Sequence, residues 1–270
     1  MIRPYFTAKR IAHLERSLAP RERAIIDTLD RLRVATTDQL KRIDFADLTP
    51  RSAARRAPAL LAHLAERRIA TKLERQVGGA RAGSKAAVWS LDVAGQRLSS
   101  VCGPAGGRSL RRPWTPSLAF LAHRLAVSEC YAALTERCRS ESVELLDFDA
   151  EPLSWRRFAS PYGGTQFLKP DAFARLGVGD FERGAFIEID RATEGRSALI
   201  RKLRVYRLYW ETGREQVRRG YFPRVVFAVP DEDRKAGLVE VCAAQPDETW
   251  PLWQVVVADE LADALIGGKA

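Results

Sequence analysis

The stretch that most narrows what this chain can fold into is Gly184 to Asp190, GAFIEID. It is about seven residues long, apolar, β-branched and aromatic, and it reads as a strand buried in a sheet. Period-two alternation sends Glu188 and Asp190 to one face and Ile187 and Ile189 to the other. Two carboxylates side by side at a strand end repel each other unless a cation, a lysine or water offsets them. The flanking sequence offers candidates. Asp171, in the pair Pro170-Asp171, opens a preceding strand expected over 171–178. Lys202, with Tyr206 one turn further on, lies on an amphipathic helix expected from about Gly195 to Thr212. An acid, an acid pair on the next strand and a nearby lysine are what a divalent-metal phosphodiesterase needs. The carboxylates hold Mg²⁺, and the lysine orients or activates a water and steadies the developing phosphorane charge. The plain alternative is that strand-end acids are solvated. Likewise Arg196, Arg201, Lys202 and Arg204 would then be the wet face of a helix packed through Leu199, Leu203 and Tyr206.

Around this centre the rest of the second half reads as a sheet with helices. A strand over 143–148 starts it, and residues 154–169 hold a hairpin turning at Pro161-Tyr162-Gly163-Gly164. FPRVVFAVP gives a fully buried strand over 223–229, and a helix over 231–243 crosses back to a parallel strand over 253–258. The crossover is expected to be right-handed.

The first half follows a different pattern. A helix over 20–33 carries Ile25, Ile26, Leu29 and Leu32 as its apolar stripe, with Pro20 in its first turn. A second helix, within 34–43, takes Thr36 or Thr37 as N-cap and buries Leu40 and Ile43. A third, over 51–68, is capped by Thr49, and Pro58 is expected to kink or split it. Strand-like runs over 69–77 and 86–91 then flank GGARAGSK, a hairpin whose Gly78, Gly79 and Gly83 mark a long turn. Three short helices followed by such a hairpin make a winged helix-turn-helix. Its recognition residues would be Arg51, Ser52, Arg55 and Arg56, and its wing would offer Lys72, Arg75, Arg81 and Lys85 to phosphate. The alternative is a structural three-helix bundle with solvated arginines.

Charge weighs on that choice. Residues 1–112 hold 23 Lys/Arg against 10 Asp/Glu, whereas 113–270 hold 21 against 24. The whole basic excess of the chain therefore sits in the first half, and an anionic partner, nucleic acid first, is its leading explanation. A segment rich in Gly, Pro and Arg over 99–116, including Arg108, Arg111 and Arg112, reads as a linker. Beyond it a helix over 115–137 carries Leu121, Leu125 and Cys130 inward, and its Glu129 is a further candidate to face the acidic site. No apolar run of about 18 residues exists, and the first residues lack a continuous apolar segment. No membrane span, no signal peptide and a cytoplasmic protein are expected. Cys102, Cys130, Cys138 and Cys242 have no CxxC spacing and read as reduced structural thiols.

Pro170-Asp171, Glu188-x-Asp190 and Lys202 resemble the PD-(D/E)xK nuclease core. More broadly, residues 20 to 230 resemble the replication-relaxation family of plasmids and other mobile elements. The resemblance rests on the three-helix and hairpin start, on His123-Arg124-Leu125-Ala126-Val127 in a joining helix, on Glu188-Ile189-Asp190, and on Lys202 with Tyr206. It implies an α+β chain with an N-terminal winged helix-turn-helix domain over 1–98, a linker over 99–116, and a restriction-endonuclease-like α/β domain over 117–270. It also implies Asp171, Glu188, Asp190 and Lys202 as the catalytic set, with Asp171 and Glu188 as metal ligands. Where an active nuclease of that fold places lysine, two residues after Glu188, this chain has Asp190. Either Lys202 substitutes from the helix, or the site is silent. The readings are thus a sequence-recognising DNA-binding protein (a regulator or a replication or transfer accessory factor), a Mg²⁺-dependent DNA endonuclease or nickase, or a protein-interaction module. Double-stranded DNA is the expected partner, with a second copy of the chain as a dimer mate.

Overall fold

The computed structural model describes residues 6–73, 87–102 and 117–267. The chain packs as two compact units, Met1–Ala132 and Ala133–Ala270. The wing candidates Arg75, Arg81 and Lys85, the glycines of that hairpin, and Arg108, Arg111 and Arg112 lie outside the described residues.

In the first unit, α1 (Ala8–Arg16) precedes α2 (Pro20–Leu32), whose Ile25, Ile26, Leu29 and Leu32 are all buried. Arg33, with φ +70°, takes the chain out of the helix into the short strand β1 (Ala35–Thr36). Helix α3 (Thr37–Asp44) opens on a reciprocal cap. The Gln39 amide donates to Thr36 Oγ1 at 3.1 Å, and the Thr36 amide donates to Gln39 Oε1 at 3.0 Å. Helix α4 (Pro50–Glu66) has Thr49 as N-cap and buries Ala53, Ala57, Leu61 and Leu64. It remains one helix through Pro58 and does not split there. Ala54, whose carbonyl loses its helical partner at Pro58, is exposed together with Pro58, so water can serve that carbonyl.

Strands β2 (Ala70–Lys72) and β3 (Val88–Leu91) complete a sheet ordered β1-β3-β2, antiparallel throughout, with Ala35 opposite Trp89 and Ala70 opposite Leu91. Helix α5 (Val93–Cys102) packs so close to β2 that a Cβ on Gly95 would stand 2.1 Å from the Ile69 carbonyl oxygen. This helix takes up the first residues of the stretch expected as linker.

Helix α6 (Leu118–Glu141) runs across the division between the units. Its first half belongs with the first unit for a chemical reason. The fully buried Arg124 donates to the Leu32 carbonyl at 3.0 Å, and Ser128 donates to the Val34 carbonyl at 2.6 Å. Both carbonyls lie where α2 has ended and the chain turns, so buried acceptors there need such donors. The units accordingly divide at Ala132, downstream of the Gly- and Pro-rich segment that composition alone marks as a boundary.

The second unit is built on a five-stranded sheet ordered β10-β9-β8-β7-β4. Its strands are β4 (Glu144–Ala150), β7 (Ala172–Val178), β8 (Phe181–Ile189), β9 (Arg224–Val229) and β10 (Trp253–Val257). The pairs β4·β7 and β7·β8 are antiparallel, while β8·β9 and β9·β10 are parallel. A separate hairpin, β5 (Arg156–Ala159) with β6 (Thr165–Leu168), lies between β4 and β7 in the chain. Helices α7 (Arg196–Glu211), α8 (Arg214–Arg219), α9 (Glu232–Ala243) and α10 (Leu261–Ile266) follow. Phe173, Phe186, Val225, Phe227 and Val229 of the sheet pack with Leu199, Leu203, Tyr206 and Tyr209 of α7 and Leu238 and Val241 of α9. Each Phe or Leu so buried contributes about 1.5–3 kcal/mol against exposure. Cys130, Cys138 and Cys242 are buried free thiols. Among the described residues no helix is long and apolar enough to cross a membrane.

Candidate functional site

Glu188 follows Phe186 by two positions on β8, so its side chain turns to the α7 side with the aromatic core. It is 2% exposed. On α7, Lys202 and Tyr206 are four residues apart and share a face. Both reach Glu188. Lys202 Nζ lies 2.8 Å from Oε2, and the Tyr206 hydroxyl donates to Oε1 at 2.6 Å. Glu194 stands 3.2 Å from the same ammonium. Ala172 pairs with Ile187 across the sheet, which brings Asp171 beside Glu188, and Asp171 Oδ2 accepts from the Ile189 amide at 2.7 Å. Asp171, Glu188 and Lys202 are therefore brought together.

Asp190 is not part of this group. It lies past the strand end, where Arg234 of α9 donates to its Oδ2 at 2.8 Å and the Ala192 amide donates to Oδ1 at 2.6 Å. Arg234 also holds the Glu194 carbonyl, at 2.8 Å. Glu129, a further candidate for the acidic site, is spent in the first unit, where Gln39 donates to it at 3.0 Å and Arg42 forms an ion pair with it.

Burial pushes the Glu188 carboxyl up to about 7, and the charge of Asp171 pushes the same way. The Lys202 ammonium and the Tyr206 hydroxyl pull it back only in part. For Lys202, burial works against the charged form, yet the charges of Glu188, Glu194 and Asp171 outweigh it and raise its pKa. Both directions hold at once because Lys202 is 29% exposed and keeps some water, whereas Glu188 keeps almost none. Burial and the neighbouring Glu188 raise the Tyr206 phenol well above its ordinary range, so it stays a donor. The cluster is thus an acid poised near neutrality, held by a permanent cation and a permanent hydroxyl donor. An anion arriving from solvent would meet the lysine first.

A divalent metal ion does not fit this donor set as it is folded. Mg²⁺ demands several oxygen ligands in strict geometry, and both oxygens of Glu188 already accept from an ammonium and a hydroxyl. Among the described residues no three His, Cys, Asp or Glu side chains converge on one point.

A second buried carboxylate lies in the same unit and was invisible in the sequence. Glu215, on α8, accepts from Tyr209 at 2.8 Å and Arg156 at 3.2 Å on one oxygen, and from Arg219 at 2.7 Å on the other. Burial alone would raise its pKa, but Arg219, Tyr209 and Arg156 outweigh burial and hold it below the usual range. Both guanidiniums sit over aromatic faces, Arg156 at 5.0 Å and Arg219 at 4.7 Å from the Phe173 ring centre. The spacing of Glu215 and Arg219, one helical turn, was the only local hint.

In the first unit, Arg51, Arg55 and Arg56 are exposed on α4, on the side away from its buried alanines and leucines. Among the described residues no carboxylate forms an ion pair with Arg51 or Arg55. Ser52 is half-buried and engaged at the cap, its amide donating to Thr49 Oγ1 at 3.3 Å. Lys72 is exposed at the end of β2.

These observations define a class: a two-unit α+β protein whose second unit carries a buried Glu-Lys-Tyr cluster on a mixed sheet. The chain belongs to the replication-relaxation family, whose family model matches residues 26–225. Comparison with curated proteins found no match, and neither did comparison with solved structures.

Proposed function

We propose that this chain is a sequence-recognising DNA-binding protein in the replication or transfer of a plasmid or other mobile element, as a regulator or an accessory factor. In this reading the first unit is a winged helix-turn-helix that grips double-stranded DNA, and the second is a nuclease-like domain that does not cut. The observation that carries the reading is α4. Its apolar face is buried, and its first turns present Arg51, Arg55 and Arg56 to solvent in the basic half of the chain. A helix so placed can set guanidiniums against base edges and phosphates. Lys72, with Arg75, Arg81 and Lys85, would add phosphate contacts. A second copy on the other half-site is part of the proposal. The test is duplex binding by the full chain across a salt series. Affinity should fall steeply with salt, and Arg55→Ala should cost about 1–3 kcal/mol on the preferred site while flattening sequence preference. No binding at low salt, or binding with no sequence preference in the wild type, rejects it.

One observation favours a second reading, a metal-dependent endonuclease or nickase: Lys202 lies 2.8 Å from Glu188, which in turn lies beside Asp171. That reading requires Glu188 to leave its lysine and tyrosine. It predicts cleavage of supercoiled, linear or single-stranded DNA with Mg²⁺ or Mn²⁺ that Glu188→Ala abolishes, and it fails if neither metal supports cleavage.

A further inference from the structure

The second unit carries a net acidic sequence, yet its cations are not evenly spread. Residues 152–170, which hold the β5–β6 hairpin, contain Arg156, Arg157 and Lys169 and no Asp or Glu. Residues 196–210, nearly all of α7, contain Arg196, Arg201, Lys202, Arg204 and Arg207 and again no acid. These two segments pack together, and an open groove of about 390 Å³ runs between them. Tyr162, Thr165 and Gln166 line it from the hairpin, and Arg201, Arg204 and Val205 from one face of α7. Among the described residues no carboxylate forms an ion pair with Arg201 or Arg204, and both are exposed.

The hairpin also exposes aromatic rings. Tyr162 is 74% exposed at the turn, and Phe167 is 48% exposed on the outer face, directly opposite Arg157. Trp155 is exposed with the Lys169 ammonium 4.7 Å from its ring centre. Tyr162 is held outward by a built turn. Its amide donates to Ser160 Oγ at 3.2 Å, and Gly163 and Gly164 follow at φ +92° and +80°, a region glycine enters without strain. The Arg204 guanidinium lies 5.5 Å from the Tyr162 ring centre. Exposed rings cost free energy in water, and here they lie beside Arg157, Lys169 and Arg204, which form no ion pair with a carboxylate among the described residues.

We propose that the β5–β6 hairpin and α7 form a second nucleic-acid site, one that takes a single strand. Arg201 and Arg204 would hold successive phosphates in the groove, and an unstacked base would lie on Tyr162. Sequence-tolerant single-strand sites combine these two elements, a basic track and aromatic platforms. A duplex keeps its base faces stacked and cannot use the ring. This site is separate from α4 and stands whether or not α4 reads a duplex.

The experiment is fluorescence anisotropy of the full chain with labelled single-stranded oligonucleotides, one DNA and one RNA of the same base sequence, and with a DNA duplex. Wild type should bind a single strand in a salt-dependent manner, and the tighter of the two arms names the source. Arg201→Glu with Arg204→Glu should weaken single-strand binding at least tenfold and lower the salt slope by about one or more, leaving duplex binding within about twofold. Tyr162→Ala should weaken it about tenfold, and Tyr162→Phe should restore it, since the ring and not the hydroxyl carries the stacking. Arg51→Glu with Arg55→Glu should leave single-strand binding unchanged. The proposal is overturned if neither oligonucleotide binds, or if the α4 variant alone removes binding. It is also overturned if Tyr162→Phe is as weak as Tyr162→Ala.

Discussion

Glu188 and Glu215 are each 2% exposed, in the same unit, and each accepts from a tyrosine hydroxyl on α7. Their protonation behaviour nonetheless runs in opposite directions. Glu215 sits between two guanidiniums and is held ionised, below the usual range. Glu188 has one ammonium, shared with Glu194, and a second acid beside it, and is pushed up to about 7. Glu188 lies deeper in the protein than Glu215 and has fewer cations around it, so desolvation and neighbouring charge push the two apart together. An acid over-supplied with cations is a structural tie between hairpin, helix and sheet. An acid under-supplied with them can exchange a proton near neutral pH.

Removing the carboxylates should break the comparison most visibly. Glu215→Ala strands Arg156 and Arg219 over the aromatic core, and urea unfolding should register a loss of about 3–5 kcal/mol. Glu188→Ala should cost less, because Lys202 retains Glu194 at 3.2 Å and some access to water. Equal losses would mean that the two sites do the same job.

The pH dependence sharpens it next. The Glu188 carboxyl in the fold titrates above its ordinary 4.5, at about 7, so the folded state binds more protons than the unfolded chain between those values. The stability contributed by this group therefore falls as pH rises through that window, by about 3 kcal/mol at most, and only that contribution is gone above it. Glu188→Gln should flatten this slope. For Glu215 the sign reverses: its pKa is lowered, so its contribution is present above the ordinary value and lost as pH falls below it. Glu215→Gln should leave the neutral window untouched and change only the acid limb. A wild-type curve that rises between pH 4.5 and 7 would contradict the assignment of Glu188 as the dominant group.

The smallest expected effects are the most specific. Tyr206→Phe removes a donor to Glu188 and should raise the apparent carboxyl pKa further, with a stability loss of about 1–3 kcal/mol. Asp171→Asn removes a like charge and should lower the pKa. Carboxyl NMR titrations that moved the same way in both variants would show that Asp171 does not act on Glu188 through its charge.

Much of this architecture was legible in the sequence, and the parts that were share a cause. The Thr49 cap with Pro50, the apolar stripe of α2 and the strands around Phe186 and Val226 are local patterns, decided within one turn or one pleat. The meeting of Lys202 with Glu188 was legible too, because one strand and the next helix pack in sequence order. Pro58 leaves the helix unsplit because its orphaned carbonyl faces water, which local sequence does not reveal. Glu129 misled because the first half of α6 packs with α2 and α3, which its own sequence does not reveal.

The sequence by itself determined the long helices and the main strands, though not α1, α5, α8 or α10, and it determined how the basic charge divides between the halves and which side chains can titrate or carry charge. Beyond the Lys202–Glu188 pair, only the tertiary structure decided which distant cation meets which acid. Arg156 reaches Glu215 across 59 positions, and Arg234 reaches Asp190 across 44. Such pairings depend on how packed layers set distance and exclude water, and no local spacing encodes either quantity.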